Sequence, residues 1–187
     1  MEHNLQAGLN SAKSYELEGK NLHALQVYQK LIEEFPESET VIMRTVKLYE
    51  KMNNVTAAVQ LLMTFLESNP ENEKIRLFLS NFLIQHKLFE DAVESLNLID
   101  KEKNNYGYYL CGMANLSMEE YDIAKLNFLE FADRNKGSEI LPDVLINIAQ
   151  SCIGLKQFDE GIEYCLKSEE LFSLSSQLYF TLAKLYY

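Results

Sequence analysis

Ala24-Leu25-Gln26-Val27-Tyr28-Gln29-Lys30-Leu31-Ile32-Glu33-Glu34-Phe35-Pro36 sets a pattern that Ala58-Val59-Gln60-Leu61-Leu62-Met63-Thr64-Phe65-Leu66-Glu67-Ser68-Asn69-Pro70 repeats 34 residues later. In both stretches a small residue is followed four places on by a large one and, at the end, by proline. Ala92 and Leu96 continue the series at the same interval. A fixed period of 34 belongs to stacked helix–turn–helix units, each too thin to bury its own apolar stripe. Such a stack presents a surface for holding other molecules.

Working outward, the first unit runs from Leu5 to Ser38, with Tyr15, Ala24, Tyr28 and Pro36 in its bulky, small, bulky and proline columns. Gly19 falls in the turn between its two helices, where a positive φ suits glycine. The second unit, Glu39–Asn72, places Tyr49, Ala58, Leu62 and Pro70 in the same columns, and Ser38 marks its helix start. The third, Glu73–Asn104, gives Ser80, Leu83, Ala92 and Leu96. A fourth, 105–138, follows after a shortened interval, because Ala124 lies 32 residues beyond Ala92; it aligns Tyr108, Gly112, Ala124 and Phe128. A fifth, 142–175, carries Leu145, Ala149, Gly161 and Cys165 after extra length at Lys136–Leu141, and Pro142 suits a first helical turn. The half-unit 176–187 puts Tyr179, Leu182, Ala183 and Tyr186 on first-helix columns. The expectation is an all-α solenoid of eleven helices in one domain, 1–187, with Ala or Gly wherever the helices of a pair cross closely.

Bulk properties narrow the function. The 187 residues are 47% hydrophobic with only 7 Gly and 3 Pro, which excludes a disordered tail. No run of about 18 apolar residues occurs, so no direct membrane insertion is expected. The start, Met1-Glu2-His3-Asn4-Leu5, shows no secretory signal, and a cytoplasmic location is the default. A net charge of −11 without a Lys/Arg cluster argues against nucleic acid. Cys111, Cys152 and Cys165 lie within apolar helical patterns and read as buried free thiols, with a Cys152–Cys165 disulfide as the alternative. His3, His23 and His86 lack the spacing of a metal site, and no phosphate loop or nucleophile motif occurs. The chain is therefore expected to be no enzyme and to use no cofactor.

The columns quoted above resemble the tetratricopeptide-repeat family from Leu5 to Tyr187, most specifically in the first two units; the absence of Trp and of a terminal proline in the later units departs from it. The resemblance implies a right-handed superhelix whose first helices line a concave groove through their second, fifth, ninth and twelfth positions. Those positions are occupied early by Lys13, Thr40, Met43, Lys47, Lys74 and Asn81, a mildly basic stretch with Arg44 beside it. Later they become apolar: Leu77, Ile84, Tyr106, Tyr109, Met113, Leu116, Ile146, Ile153 and Phe180. Apolar side chains that packing does not require mark a partner site. A subgroup of the family clamps acidic chaperone tails, but the matching positions here are Leu9, Lys13, Arg44, Lys74 and Phe78, of which Lys74 alone agrees.

The expected function is a non-catalytic protein-interaction scaffold taking an extended peptide or amphipathic helix, anchored by Tyr109, Met113, Leu116 and Ile146, with Lys47 and Lys74 attracting carboxylates. The alternative is a recruitment or oligomerisation region of a longer chain. Its end, Phe180-Thr181-Leu182-Ala183-Lys184-Leu185-Tyr186-Tyr187, is too apolar for an exposed capping helix: either the chain continues with more repeats or another domain, or the end pairs with a second copy as a homodimer.

Overall fold

A computed structural model describes residues 2–171 and 176–186. Among them are eleven α-helices and no strand: α1 Glu2–Leu17, α2 Asn21–Glu34, α3 Glu39–Lys51, α4 Val55–Ser68, α5 Glu73–Gln85, α6 Phe89–Leu96, α7 Tyr106–Ser117, α8 Tyr121–Arg134, α9 Leu141–Gly154, α10 Phe158–Leu171 and α11 Ser176–Tyr186. The structure divides into two compact units, Met1–Leu79 and Ser80–Tyr187, with the boundary inside α5.

Each helical pair is joined by the same short turn, and its geometry is set by the backbone. Gly19, Asn53, Lys87, Glu119 and Lys156 all adopt left-handed conformations, with φ of 74°, 56°, 62°, 63° and 60°. The next residue's N–H reaches back five residues in every case: Lys20 to Tyr15 O (2.8 Å), Asn54 to Tyr49 O (2.9 Å), Leu88 to Leu83 O (2.9 Å), Glu120 to Asn115 O (2.9 Å) and Gln157 to Cys152 O (2.8 Å). This is a helix C-cap that satisfies carbonyls otherwise left bare at a helix end. Only the first of the five positions is glycine. At Gly19 an added Cβ would meet nothing within 4 Å, so any penalty there comes from φ alone. Gly19→Val should therefore cost about 1–2 kcal/mol, whereas Lys87→Gly should stay within about 0.5 kcal/mol of neutral, since relief of φ strain offsets a more flexible unfolded chain. Urea unfolding followed by circular dichroism reads both.

The small column does what close packing asks of it. Ala24, Ala58, Ala92 and Ala124 are all fully buried. In the Met1–Leu79 unit, Leu9, Ala12, Ala24, Tyr28, Leu31, Val41 and Leu48 form one core cluster. In the Ser80–Tyr187 unit, Ala124, Phe128, Phe131, Val144, Leu145, Ile148 and Cys152 form another, and Ile146, Ala149, Cys165, Leu178 and Leu185 a third. Pro142 sits in the first turn of α9 as its missing N–H permits. Ser38 precedes α3 without a side-chain cap; amide caps instead appear at Asn54, accepting from Ala57 N (3.1 Å), and Asn72, accepting from Ile75 N (2.9 Å).

One expectation is corrected, and the reading of the cysteines as buried free thiols holds. The α11 frame is off by one residue: Leu178, Thr181 and Leu185 are buried, while Tyr179 and Tyr186 are 48% and 68% exposed and Ala183 is exposed. Cys152 and Cys165 are both free and buried, as is Cys111, and burial pushes all three thiols up, Cys165 to about 11.

Candidate partner-binding face

In the Met1–Leu79 unit, α1 and α3 present Lys13 and Lys47 to solvent, with Met43 half-buried between turns of α3 and Leu77 half-buried on α5. Lys74 is exposed but committed: its Nζ pairs with Glu39, to which Asn72 Nδ2 also donates at 2.8 Å. Hydrogen bonds from Lys74, then Asn72, hold the Glu39 carboxyl below its ordinary value, with burial working against them. The positive character of this face therefore rests on Lys13 and Lys47 rather than on Lys74. Leu9, at the fifth position of the first unit, is 3% exposed and belongs to the core. Beneath it the Tyr28 hydroxyl donates to Glu16 Oε1 at 2.7 Å, and Lys51 Nζ donates to Glu16 O at 3.1 Å; burial and that carboxylate raise the Tyr28 hydroxyl well above its usual value.

In the Ser80–Tyr187 unit the apolar face centres on α7. Helical spacing puts Tyr106, Tyr109, Met113 and Leu116 within an arc of about 80° on one side of that helix. Tyr106 is 41% exposed and its ring lies 5.3 Å from that of Tyr109, which is half-buried against Phe131 (5.7 Å) and Phe128 (6.3 Å) of α8. Burial, followed by the neighbouring Tyr106 and Asp143, raises the Tyr109 hydroxyl above its ordinary value. Met113 Sδ accepts from Asn147 Nδ2 at 3.4 Å, tying α7 to α9. Met113 and Leu116 are half-buried against the Phe128 cluster, Ile153 packs partly on the Ile146 cluster, and Asn81 and Ile84 are half-buried on α5.

Ile146 does not join them. It is fully buried with Leu178 and Leu185 of α11, so it is a core residue and no anchor. Phe180 is 62% exposed on α11 with Lys184 Nζ 4.4 Å above its ring.

Sequence reading missed the polar clips between successive repeats of the Ser80–Tyr187 unit. Lys125 Nζ, only 14% exposed, binds Glu160 (2.7 Å) and Gln157 (2.8 Å). Arg134 binds Glu102 (2.7 Å) and lies over the Tyr108 ring at 5.2 Å, while the Tyr108 hydroxyl donates to Glu102 at 2.8 Å. The partners in the Lys125 and Arg134 pairs are 32–35 residues apart, one repeat interval, which is the signal that could have found them. Among the described residues no group of three His, Cys, Asp or Glu side chains gathers to hold a metal ion, and no helix is long and apolar enough to cross a membrane.

Two stretches match tetratricopeptide-repeat family models: residues 6–38, the first helical pair, and residues 142–173, the fifth. No curated protein sequence matches the chain. Among solved structures, MamA is similar with a TM-score of 0.72 at 17% identity, covering 94% of this chain and 98% of its own. PilF of Pseudomonas aeruginosa aligns at 0.73 and 17% identity, covering 99% and 85%. YrrB, described as a tetratricopeptide-repeat protein with an unusual peptide-binding site, aligns at 0.71 and 16% identity, covering 92% and 89%. Eleven helices among the described residues, paired as successive hairpins, give the chain the fold of tetratricopeptide-repeat proteins, and its first and fifth pairs match that repeat. That fold implies protein partners.

Proposed function

We propose that the chain is a non-catalytic interaction scaffold whose Ser80–Tyr187 unit takes an extended peptide or an amphipathic helix on the α7 face. The observation behind this reading is the Tyr106–Tyr109 pair: a 41% exposed ring leaning on a half-buried one, continued along α7 by Met113 and Leu116. Tyr offers contact area with a polar tip, and Met adapts its shape to a ligand. Lys13 and Lys47 give the Met1–Leu79 unit two cations for acidic ligand residues, on a protein that is otherwise strongly negative. The likeness to YrrB, whose description names a peptide-binding site, is in keeping with this. Burying one such anchor contributes on the order of 1.5–3 kcal/mol, so three anchors support micromolar affinity after association costs.

Peptides selected from a displayed random library against the full chain test the reading. Selected peptides should carry aromatic or aliphatic anchors and bind the wild type in fluorescence anisotropy. They should lose at least tenfold in affinity to Tyr106→Ser, a variant that removes an exposed ring and leaves the helical spectrum unchanged. Selected peptides indifferent to Tyr106→Ser would sink the assignment of the face.

A further inference from the structure

The α7 face carries a charge beside its rings. Asn147 Nδ2 on α9 donates to Met113 Sδ on α7 across 34 residues. Because α8 returns between them, α7 and α9 run in the same direction, and they pack on each other. One turn before that contact stand Asp143 on α9 and Tyr109 on α7, also 34 residues apart. The same register therefore sets the Asp143 carboxylate beside Tyr109. The Tyr109 hydroxyl responds to its surroundings: burial first, then Tyr106 and Asp143, raises it above its ordinary value. Asp143 is exposed, and Tyr106, 41% exposed, leans on Tyr109 with ring centres 5.3 Å apart. Two aromatic rings and one carboxylate thus edge a single corner of the Ser80–Tyr187 unit.

A cation held over a ring fits this corner. The unit makes that pairing three times with its own residues: Arg134 lies 5.2 Å over Tyr108, Lys167 Nζ 4.9 Å over Tyr164 and Lys184 Nζ 4.4 Å over Phe180. Among the described residues no cation lies over Tyr106 or Tyr109, and Asp143 makes no hydrogen bond or ion pair. The two lysines just before α7 are directed elsewhere. Lys103 pairs with Asp100 at 2.9 Å, and Lys101 lies against Gly107, on the other side of α7. Across the unit 17 Asp and Glu stand against 9 Lys and Arg, a net charge of −8 that draws cations from a distance.

Building on the reading of α7 as the partner-binding face, we infer that its ligand is a basic segment whose arginine stacks on Tyr106 and pairs with Asp143. An apolar neighbour of that arginine lies along Tyr109, Met113 and Leu116. Arginine suits both halves of the corner, since its planar guanidinium stacks on a ring and presents N–H donors at its edge to a carboxylate. Lysine supplies the charge without the planar stack. An acidic ligand would bring its carboxylates against Asp143 and against the field of the whole unit.

The test takes peptides selected against the full chain from a displayed random library and measures them by fluorescence anisotropy. Peptides that depend on Tyr106 should carry arginine next to their apolar anchor. Replacing that arginine by glutamine should weaken binding about three- to fivefold, the scale of one exposed charge pair, and replacing it by lysine should weaken it less. Asp143→Asn should cost the arginine peptide the same factor and leave the glutamine peptide unaffected, so the two changes are not additive. Binding of the glutamine peptide also reports that the variant is folded. Glu163→Gln, at an exposed site on α10, removes the same charge and should leave binding unchanged. Raising NaCl from about 0.05 to about 0.5 M should narrow the advantage of arginine over glutamine. Tyr106-dependent peptides that lack a basic residue, or that bind Asp143→Asn as tightly as the wild type, overturn the arginine site and leave the α7 face standing. An equal loss in Glu163→Gln overturns it as well, because bulk charge then accounts for both. Peptides indifferent to Tyr106→Ser, or a library that yields no binder, remove the face and the arginine site together.

Discussion

Phe128→Ala should destabilise the Ser80–Tyr187 unit by about 3–5 kcal/mol, the range for emptying a buried aromatic site. Phe128 is fully buried at the centre of a cluster formed by α8 and α9, and it faces Gly112 on α7. A Cβ built on Gly112 would fall 2.5 Å from Phe128 Cε1, with two more ring atoms under 3 Å. The ring cannot swing away, because Phe131, Val144 and Ile148 hold the same cluster. Gly112→Val therefore overpacks the crossing and should cost about 1–3 kcal/mol by itself. The two changes compete for one volume, so the double variant should lose less than the sum of the singles. Urea unfolding of the four proteins in the cycle measures that coupling. Strict additivity would show that the glycine column is not what brings α7 against α8.

This crossing also shows why so much of the fold was legible. Close approach of two helix backbones leaves no room for a large side chain, so Ala24, Ala58, Ala92, Gly112 and Ala124 had to be small, and their intervals exposed the repeat. The left-handed turn residues obey the same intervals, yet Asn53, Lys87, Glu119 and Lys156 carry no glycine signature, so only Gly19 announced the turn. Register failed where the pattern was degenerate. Ser176–Tyr186 contains apolar residues on nearly every side, and frames one residue apart both place bulky side chains on the packing columns. Exposure of the proposed binding face was the least legible property, because it depends on how far the next helix covers each first helix. Met113 and Leu116 are half covered, whereas Tyr106 at the helix start escapes.

Ile146 separates core from face most sharply. Its sequence position matches Tyr109 in the repeat, which made it an anchor candidate, but α11 lies over it and leaves it no exposed surface. Ile146→Ala should cost about 2–5 kcal/mol, and Ile146→Val about 0.5–1.5 kcal/mol. The loss has a location as well as a size. Leu178 and Leu185 hold α11 to the rest of its unit through the cluster that contains Ile146, so the cavity loosens α11 before it loosens α7 and α8. Hydrogen exchange should show α11 amides losing protection in Ile146→Ala while those of α8 keep theirs, since local opening follows the contacts that are lost. The same variant should bind α7-face peptides with wild-type affinity under conditions where it remains folded. Unchanged stability together with weakened peptide binding would return Ile146 to the face, and would mean that α11 does not rest on α9 as described.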